Sequence, residues 1–419
     1  ITKADLSVSG LSVANKVYDA DVSASLAGTA AVTALAGDAV ILGGTASGTF
    51  VDKNVATGKG VTIVGHSITG DDAGNYNLVQ QAGITADITK ANLSVTGVTG
   101  LNKVYDAGVV AGLGGTAAVT ALSGDTVSIT GTATGAFADK NVANSIGVTA
   151  SGYSITGADA GNYNLVQQAG ITANITKANL NVSGITAVNK VYNRDLVASL
   201  GGTAVINALG SDNVILSGSV SGVFADKNAA TGKGVMISGN SISGSDAGNY
   251  NLVQQVGITA DITKADLNVS GVSALNKVYD AGVVANLAGT AVITTLGDDN
   301  VVLNGTAVGS FEDKHAASAK NITIVGHTIS GTDANNYNLI QPTGLTASIS
   351  KADLAVVGVS VGNKVYDSFQ KASLNGTASV TALGSDNLTL SGTGNALFAD
   401  NNVATNKAVT ITGYSLEGM

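Results

Sequence analysis

Ala4, Leu6 and Val8 alternate with Asp5, Ser7 and Ser9, the two-residue period of a strand with one buried face. Gly10 breaks the phase, and Leu11 and Val13 resume it one residue out of step, which predicts a β-bulge at Gly10. The stretch Asn15-Lys16-Val17-Tyr18-Asp19 follows. Ala30 to Leu35 is a run of small apolar residues that reads as a strand, closed by a turn signal at Gly37-Asp38. Val40, Leu42, Ala46 and Phe50 share one face of a long strand or a bent pair, and Asp52-Lys53-Asn54 is a polar loop. Val61 to Ile68 is another strand and Gly70 to Gly74 a tight turn; Tyr76 to Gln80 and Ile84 to Ile88 complete the pattern. No stretch sustains a 3.6-residue period with caps, so the expected unit is all-β with about seven strands.

This pattern returns every 87 residues without insertion or deletion. Asn15 to Asp19 recurs as Asn102 to Asp106, Asn189 to Asn193, Asn276 to Asp280 and Asn363 to Asp367. Phe50 recurs as Phe137, Phe224, Phe311 and Phe398. Ile84, Ala86 and Ile88 lie on even positions, whereas Ala91, Leu93 and Val95 lie on odd ones. The buried face therefore changes sides between Lys90 and Ala91, with no Gly/Ser/Pro linker. That join divides the chain into residues 1–3, the end of a preceding repeat, then repeats at 4–90, 91–177, 178–264 and 265–351. A fifth repeat, 352–419, stops before its last two strands. The opening Ile1-Thr2-Lys3 is mid-repeat text, so the sequence reads as a piece of a longer protein.

A period this long favours self-contained units over solenoid turns. Strand number and spacing suit a β-sandwich. The expected architecture is a tandem array of immunoglobulin-like β-sandwich repeats, joined closely enough to form an elongated, semi-rigid rod. β-Grasp-like units or a β-solenoid are the alternatives.

Composition narrows the function classes. The 55 glycines, the single proline Pro342 and the scarcity of aromatics (4%) suit short strands with glycine turns. A mean hydropathy of +0.30 argues against disorder. There is no cysteine, hence no disulfide framework and no thiol chemistry. A net charge of −9 disfavours nucleic acid as a partner. No apolar run approaches a membrane span, and no signal peptide opens the chain.

The segment from Asp72 to Leu78 recurs from Asp159, Asp246 and Asp333 as Asp-x-(Gly/Asn)-x-Tyr-x-Leu. It is similar to the tyrosine corner of immunoglobulin-type domains, with Leu78 standing where a cysteine would be. Tyr76 is then expected to be buried with its hydroxyl bonded to backbone. Asn15 to Asp19 combines a cation, a phenol and a carboxylate, but Asp19 becomes Asn193 in repeat three, which an essential base would not survive. A strand end closed by Asx-turns is the expectation there. Asp38, Asp52 and Asp72 are the calcium candidates, because acidic turns can supply oxygen ligands; no DxDxDG-like spacing accompanies them, and no cofactor is expected. His66 drifts to Tyr153, Asn240, His327 and Tyr414, which reads as surface variation and supports neither zinc nor a catalytic histidine. An isopeptide crosslink would need Lys3 or Lys16 beside Asn75. Nothing resembles an enzyme's catalytic set.

The train Asn15 to Asp19, Phe50 to Val55, Asp72 to Leu78 and Ile88 to Ala91 resembles the YDG-type repeat of very large bacterial surface proteins, including filamentous-haemagglutinin-like adhesins. The resemblance covers essentially the whole chain. It implies export to the cell surface and a repetitive stalk acting in adhesion or surface fibres. The glycine usual after Tyr-Asp is replaced by Ala20, Ala107, Ala281 and Ser368, and repeat three carries Asn193-Arg194. The expected function is a structural stalk or fibre segment whose partners are neighbouring repeats or copies of the same protein. The alternative is a binding array in which each unit holds a glycan or calcium weakly and avidity strengthens the whole.

Overall fold

The computed structural model describes residues 1–418. Among them the chain is all-β, with no α-helix and with single 3-10 turns such as Ala73–Asn75. Repeat one carries nine strands: β1 (Ala4–Ser7), β2 (Ser9–Val13), β3 (Lys16–Val17), β4 (Ser23–Ala24), β5 (Leu26–Ala31), β6 (Ile41–Phe50), β7 (Ala56–Thr69), β8 (Tyr76–Val79) and β9 (Ile84–Thr89). A five-stranded sheet has the order β3-β9-β7-β6-β4, and β1-β8 and β2-β5 form two-stranded sheets. In the large sheet β9-β7, β7-β6 and β6-β4 are antiparallel, whereas β3 runs parallel to β9. β1 is also parallel to its partner, with Ala4 opposite Tyr76 and Leu6 opposite Leu78.

The bulge expected at Gly10 is present: the register of β2 against β5 shifts between Ser9 and Leu11. Gly10 has φ +90°, and a Cβ there would lie 2.4 Å from the Thr29 carbonyl oxygen. Opposite it Gly28 has φ +91°, and a Cβ there would lie 2.2 Å from the Gly10 oxygen. Only glycine at both positions lets the strands close. The long ribbon β6-β7 bends where its register shifts between Gly44 and Ser47. One strand falls elsewhere than expected. Leu26–Ala31 is extended, whereas Leu35 is exposed in a turn closed by the Asp38 N–H donating to the Leu35 carbonyl. Small side chains alone did not mark which end of that run would find a partner strand.

The sheets curl into half-barrels and are not clear immunoglobulin-like sandwiches. The physical reason lies in what covers them. Tyr18, Phe50, Val61, Ile63, Ala86 and Ile88 of repeat one bury into one cluster with Leu93 and Tyr163 of repeat two. Val119, Ala121, Val127 and Ile155 of repeat two pack against it. Ile88 and Leu93, on either side of Lys90, thus enter the same core. The antiparallel neighbours in the large sheet also differ from the coils of a parallel solenoid.

Packing divides the chain into two compact units. The first comprises Ile1–Gly184, Ala204–Ser219 and Gly239–Gln255. It holds the cluster above and a second built the same way, in which Tyr105, Phe137, Val148 and Ile175 of repeat two meet Ala178, Leu180 and Tyr250 of repeat three. The second unit comprises Ile185–Thr203, Val220–Ser238 and the chain from Val256 onward. It holds a cluster of Ala285, Phe311, Ile322, Ile324, Ala347 and Ile349.

Candidate functional site

The recurrent motifs meet where one repeat joins the next. β3 lies along β9 through Lys16 opposite Ile88, and the Tyr18 N–H donates to the Thr89 carbonyl at 2.8 Å. Strand alternation then turns Val17 outward and Tyr18 inward, where it is 3% exposed. Its hydroxyl donates to the Asp125 carboxylate of repeat two, 2.9 and 2.8 Å from the two oxygens. The Tyr163 hydroxyl donates to the same carboxylate at 2.6 Å and accepts from the Leu122 N–H at 3.0 Å. The two rings meet edge to face, centroids 5.5 Å apart.

The polar loop after Phe50 completes the joint. Lys53 pairs with Asp125 and reaches Asp159 Oδ1 at 3.1 Å. The second Asp159 oxygen accepts from the Thr126 N–H at 2.9 Å. Asn162 Oδ1 accepts from the Val55 N–H at 2.9 Å, and its Nδ2 donates to Asn54 at 3.1 Å. Tyr18, Lys53, Asn54 and Val55 therefore come from one repeat, and Asp125, Asp159, Asn162 and Tyr163 from the next.

The arrangement recurs. In the first unit Tyr105, Lys140 and Tyr250 converge on Asp212 at 2.7, 2.8 and 2.7 Å. In the second, Tyr192, Lys227 and Tyr337 converge on Asp299 at 2.8, 3.5 and 2.7 Å. Arg194 adds a charge contact to Asp299 at 3.1 Å. Tyr279 and Lys314 bind Asp386 in the same way.

Burial decides the electrostatics. The Asp125 side chain is 0% exposed. Burial alone would raise its pKa, but Lys53 and the Tyr163 and Tyr18 hydroxyls outweigh that and hold it below the usual carboxylate range. Asp212 and Asp299 are lowered by the same balance. Burial, then the hydrogen bond to the carboxylate, pushes Tyr163, Tyr250 and Tyr337 up to about 12. Asp125 and Asp159 hold Lys53 protonated above its ordinary range.

The motifs that build the joint recur along the chain, and a YDG domain matches residues 2–84, 89–171, 176–257, 263–345 and 350–419. The chain belongs to the YDG domain family. A comparison with curated proteins gave no match.

The eponymous motif of the YDG repeat has a backbone reason. Asp19 Oδ1 accepts from the Asp21 N–H at 3.0 Å, closing the expected Asx-turn, and Asn193 does the same for Asp195 at 3.3 Å. The residue between is left-handed in all five copies: Ala20, Ala107, Arg194, Ala281 and Ser368 have φ of 66°, 63°, 74°, 63° and 72°. Glycine adopts that conformation freely, which accounts for its usual place there. Lys16 staples the turn, bonding Asp19 at 2.8 Å and the carbonyls of Asp21 and Ser23, and lies 5.5 Å over the Phe50 ring.

The three calcium candidates do not form one cluster. Asp38 accepts from the Tyr76 hydroxyl at 2.6 Å, and Asp72 accepts from the Ala39 N–H at 2.9 Å, so these two share a corner. Asp52 instead pairs with Lys59 and accepts from the Asn54 N–H at 2.7 Å. Among the described residues no group of three or more His, Cys, Asp or Glu is placed to hold a metal. Tyr76 is 4% exposed and its hydroxyl accepts from the Leu35 N–H at 3.0 Å, the backbone bond expected of a corner tyrosine, with the Asp38 bond in addition.

The histidine position is half-buried in four copies and buried in one. His327 is 8% exposed, and its backbone is bridged by the Gln341 side chain. Its drift across copies reflects bonds made through the main chain, which any side chain preserves. Sequence reasoning missed the role of Lys53 altogether. The available signal was that its loop recurs in step with the tyrosine motifs.

Proposed function

We propose that this chain is a stalk or fibre segment of an exported bacterial surface adhesin of the filamentous-haemagglutinin-like kind, spacing or assembling a cell-surface filament. The observation that carries the reading is the use of the recurrent polar residues. Tyr18, Lys53, Asn54, Asp125, Asp159, Asn162 and Tyr163 are engaged with one another across a joint. A residue set held in that way supports load transfer between modules more than capture of a ligand. In this reading each module plays the part that immunoglobulin-like modules play in extracellular stalks, and its partners are neighbouring repeats or copies of the same protein. Stability in such an array grows from nearest-neighbour terms.

Equilibrium unfolding of fragments with two, three and four repeats tests it. The denaturation midpoint is expected to rise with repeat number and then level off. Midpoints independent of repeat number, together with glycan or calcium affinity that climbs steeply with copies, would instead establish a repetitive binding array working through avidity.

A further inference from the structure

Arg194 is the only arginine of the chain, and it stands at a joint. It takes the left-handed place that Ala20, Ala107, Ala281 and Ser368 hold in the other repeats, at φ 74°. A long side chain in that conformation is strained, and such strain persists only where the surroundings hold it. The turn around it is rearranged. Lys16, Lys103 and Lys277 pair with the aspartate three residues on, whereas Lys190 pairs with Asp195. Asn193 replaces the acid that would otherwise stand next to the guanidinium.

The guanidinium lies across a turn of repeat four. A Cβ on Gly297 would overlap Nη1 of Arg194 and lie 2.6 Å from its Cζ. Nη2 is 3.8 Å from Asp298, and Nε is 3.1 Å from Asp299. Lys227, which shares Asp299, stands 3.5 Å off, against 2.8 Å for Lys140 from Asp212. Gly210 and Gly384 face Ala107 and Ala281 in the same way, where a Cβ would lie 3.6 and 2.8 Å from the alanine Cβ. Repeat four is distinctive at this place. For Gly297-Asp298 the other repeats read Ala36-Gly37, Ser123-Gly124, Gly210-Ser211 and Gly384-Ser385. Asp298 is fully exposed and contributes little energy, so the fit of the guanidinium over glycine is the selective element. A side chain on Gly297 would push the guanidinium off Asp299.

We propose that Arg194 is a specificity determinant for repeat pairing, and that the partner it selects is the Leu296-Gly297-Asp298-Asp299 turn of repeat four. Tandem copies this similar can dock on the wrong neighbour, within a chain or between chains, which is the characteristic misassembly of repeat proteins. Contacts such as Tyr192 with Asp299 cannot discriminate, because Tyr18 with Asp125 and Tyr105 with Asp212 repeat them. A contact that favours one neighbour and disfavours others can. Repeats one and two carry a side chain in place of Gly297, and repeats three and five a glycine without the acid that follows it. The inference rests on neighbouring repeats being each other's partners, and not on export or adhesion.

Hydrogen exchange of the full chain reads each turn separately. Arg194→Ala installs the residue that Ala20, Ala107 and Ala281 supply elsewhere. It is expected to speed opening of the 294–302 turn roughly fivefold and to leave the equivalent 207–215 turn unchanged. Gly297→Ala strains a φ of +45° in any background, so the reading is a difference. Its effect in the parent should exceed its effect in the Arg194→Ala chain by a similar factor. Moving the pair to the preceding joint, as Ala107→Arg with Ser211→Asp, should protect the 207–215 turn more than the two changes do singly. After unfolding in urea, the Arg194→Ala chain should return a smaller share of the starting species on size exclusion. Equal effects of Gly297→Ala in both backgrounds overturn the proposal, as does unchanged refolding. Neither result touches the rise of the denaturation midpoint with repeat number, so the pairing role and the stalk reading fail separately.

Discussion

Tyr18 and Asp125 lie 107 residues apart, yet the hydroxyl of one donates to both carboxylate oxygens of the other. The same separation links Tyr105 to Asp212, Tyr192 to Asp299 and Tyr279 to Asp386. Each link joins a strand of one repeat to a turn of the next. The period in sequence and the period in packing are thus out of phase, and a repeat completes its core with its neighbour's side chains.

The bond between Tyr105 and Asp212 should be energetically coupled to the rest of its joint. Tyr105→Phe removes one donor and leaves a buried carboxylate with one partner fewer, which costs about 1.5–3 kcal/mol for a bond to a charged group. Combined with Asp212→Asn, the loss should be less than additive by on the order of 1 kcal/mol. Urea unfolding of the full chain measures both. Strict additivity would show that the two residues do not act together.

Ala107→Gly should stabilise the chain. Its φ of 63° is strained for alanine and free for glycine. Relief of left-handed strain contributes roughly 1 kcal/mol, offset in part by glycine's greater freedom when unfolded. Arg194→Gly should gain less, because it gives up the contact with Asp299. Melting temperatures of the two variants against the parent decide the matter; a fall for Ala107→Gly would mean that the turn conformation is misassigned.

Much of this was legible in the residues, and the reasons for the rest are specific. The alternation of Ala4, Leu6 and Val8 marked β1, and the phase break at Gly10 marked a bulge, because both are local consequences of strand geometry. The corner role of Tyr76 followed from the likeness of the segment Asp72 to Leu78 to a tyrosine corner. What closed the half-barrel was not legible, because Val119 and Ile155 carry no local sign that they cover the preceding repeat's sheet. Lys53 likewise looked like loop polarity, since its partner Asp125 lies 72 residues on.

Stability should hold over a pH plateau bounded on both sides by the joints. Asp125, Asp212 and Asp299 have carboxyls held below their ordinary value of 3.8 in the fold. Their contribution is present above about pH 4 and lost as pH falls through the lowered values. Tyr163, Tyr250 and Tyr337 are raised from 10.0 to about 12. Their contribution is complete below about pH 10 and lost as pH rises toward 12. Circular dichroism melts across pH 3 to 12 should show both shoulders, and Tyr163→Phe should shrink the alkaline one. An alkaline limb unchanged in that variant would remove the buried tyrosines from the account.

Calcium removal should leave the fold intact. The corner of Asp125 and Asp159 already holds a cation, the Lys53 ammonium, and Asp125 takes two tyrosine hydroxyls besides. A divalent ion needs six to eight oxygens and would have to displace that lysine. At the corresponding corner of repeat one, Asp38 and Asp72 already accept from the Tyr76 hydroxyl and the Ala39 N–H. Melting with and without chelator should therefore agree to within about 2 °C, which is roughly 2 kcal/mol for a chain of this size unfolding as a whole. Lys140→Ala, by contrast, should lower the melting temperature, since it leaves Asp212 buried without its cation. A large drop on chelation combined with a silent Lys140→Ala would reverse the assignment, making the acidic corners metal sites and the array a calcium-dependent binder.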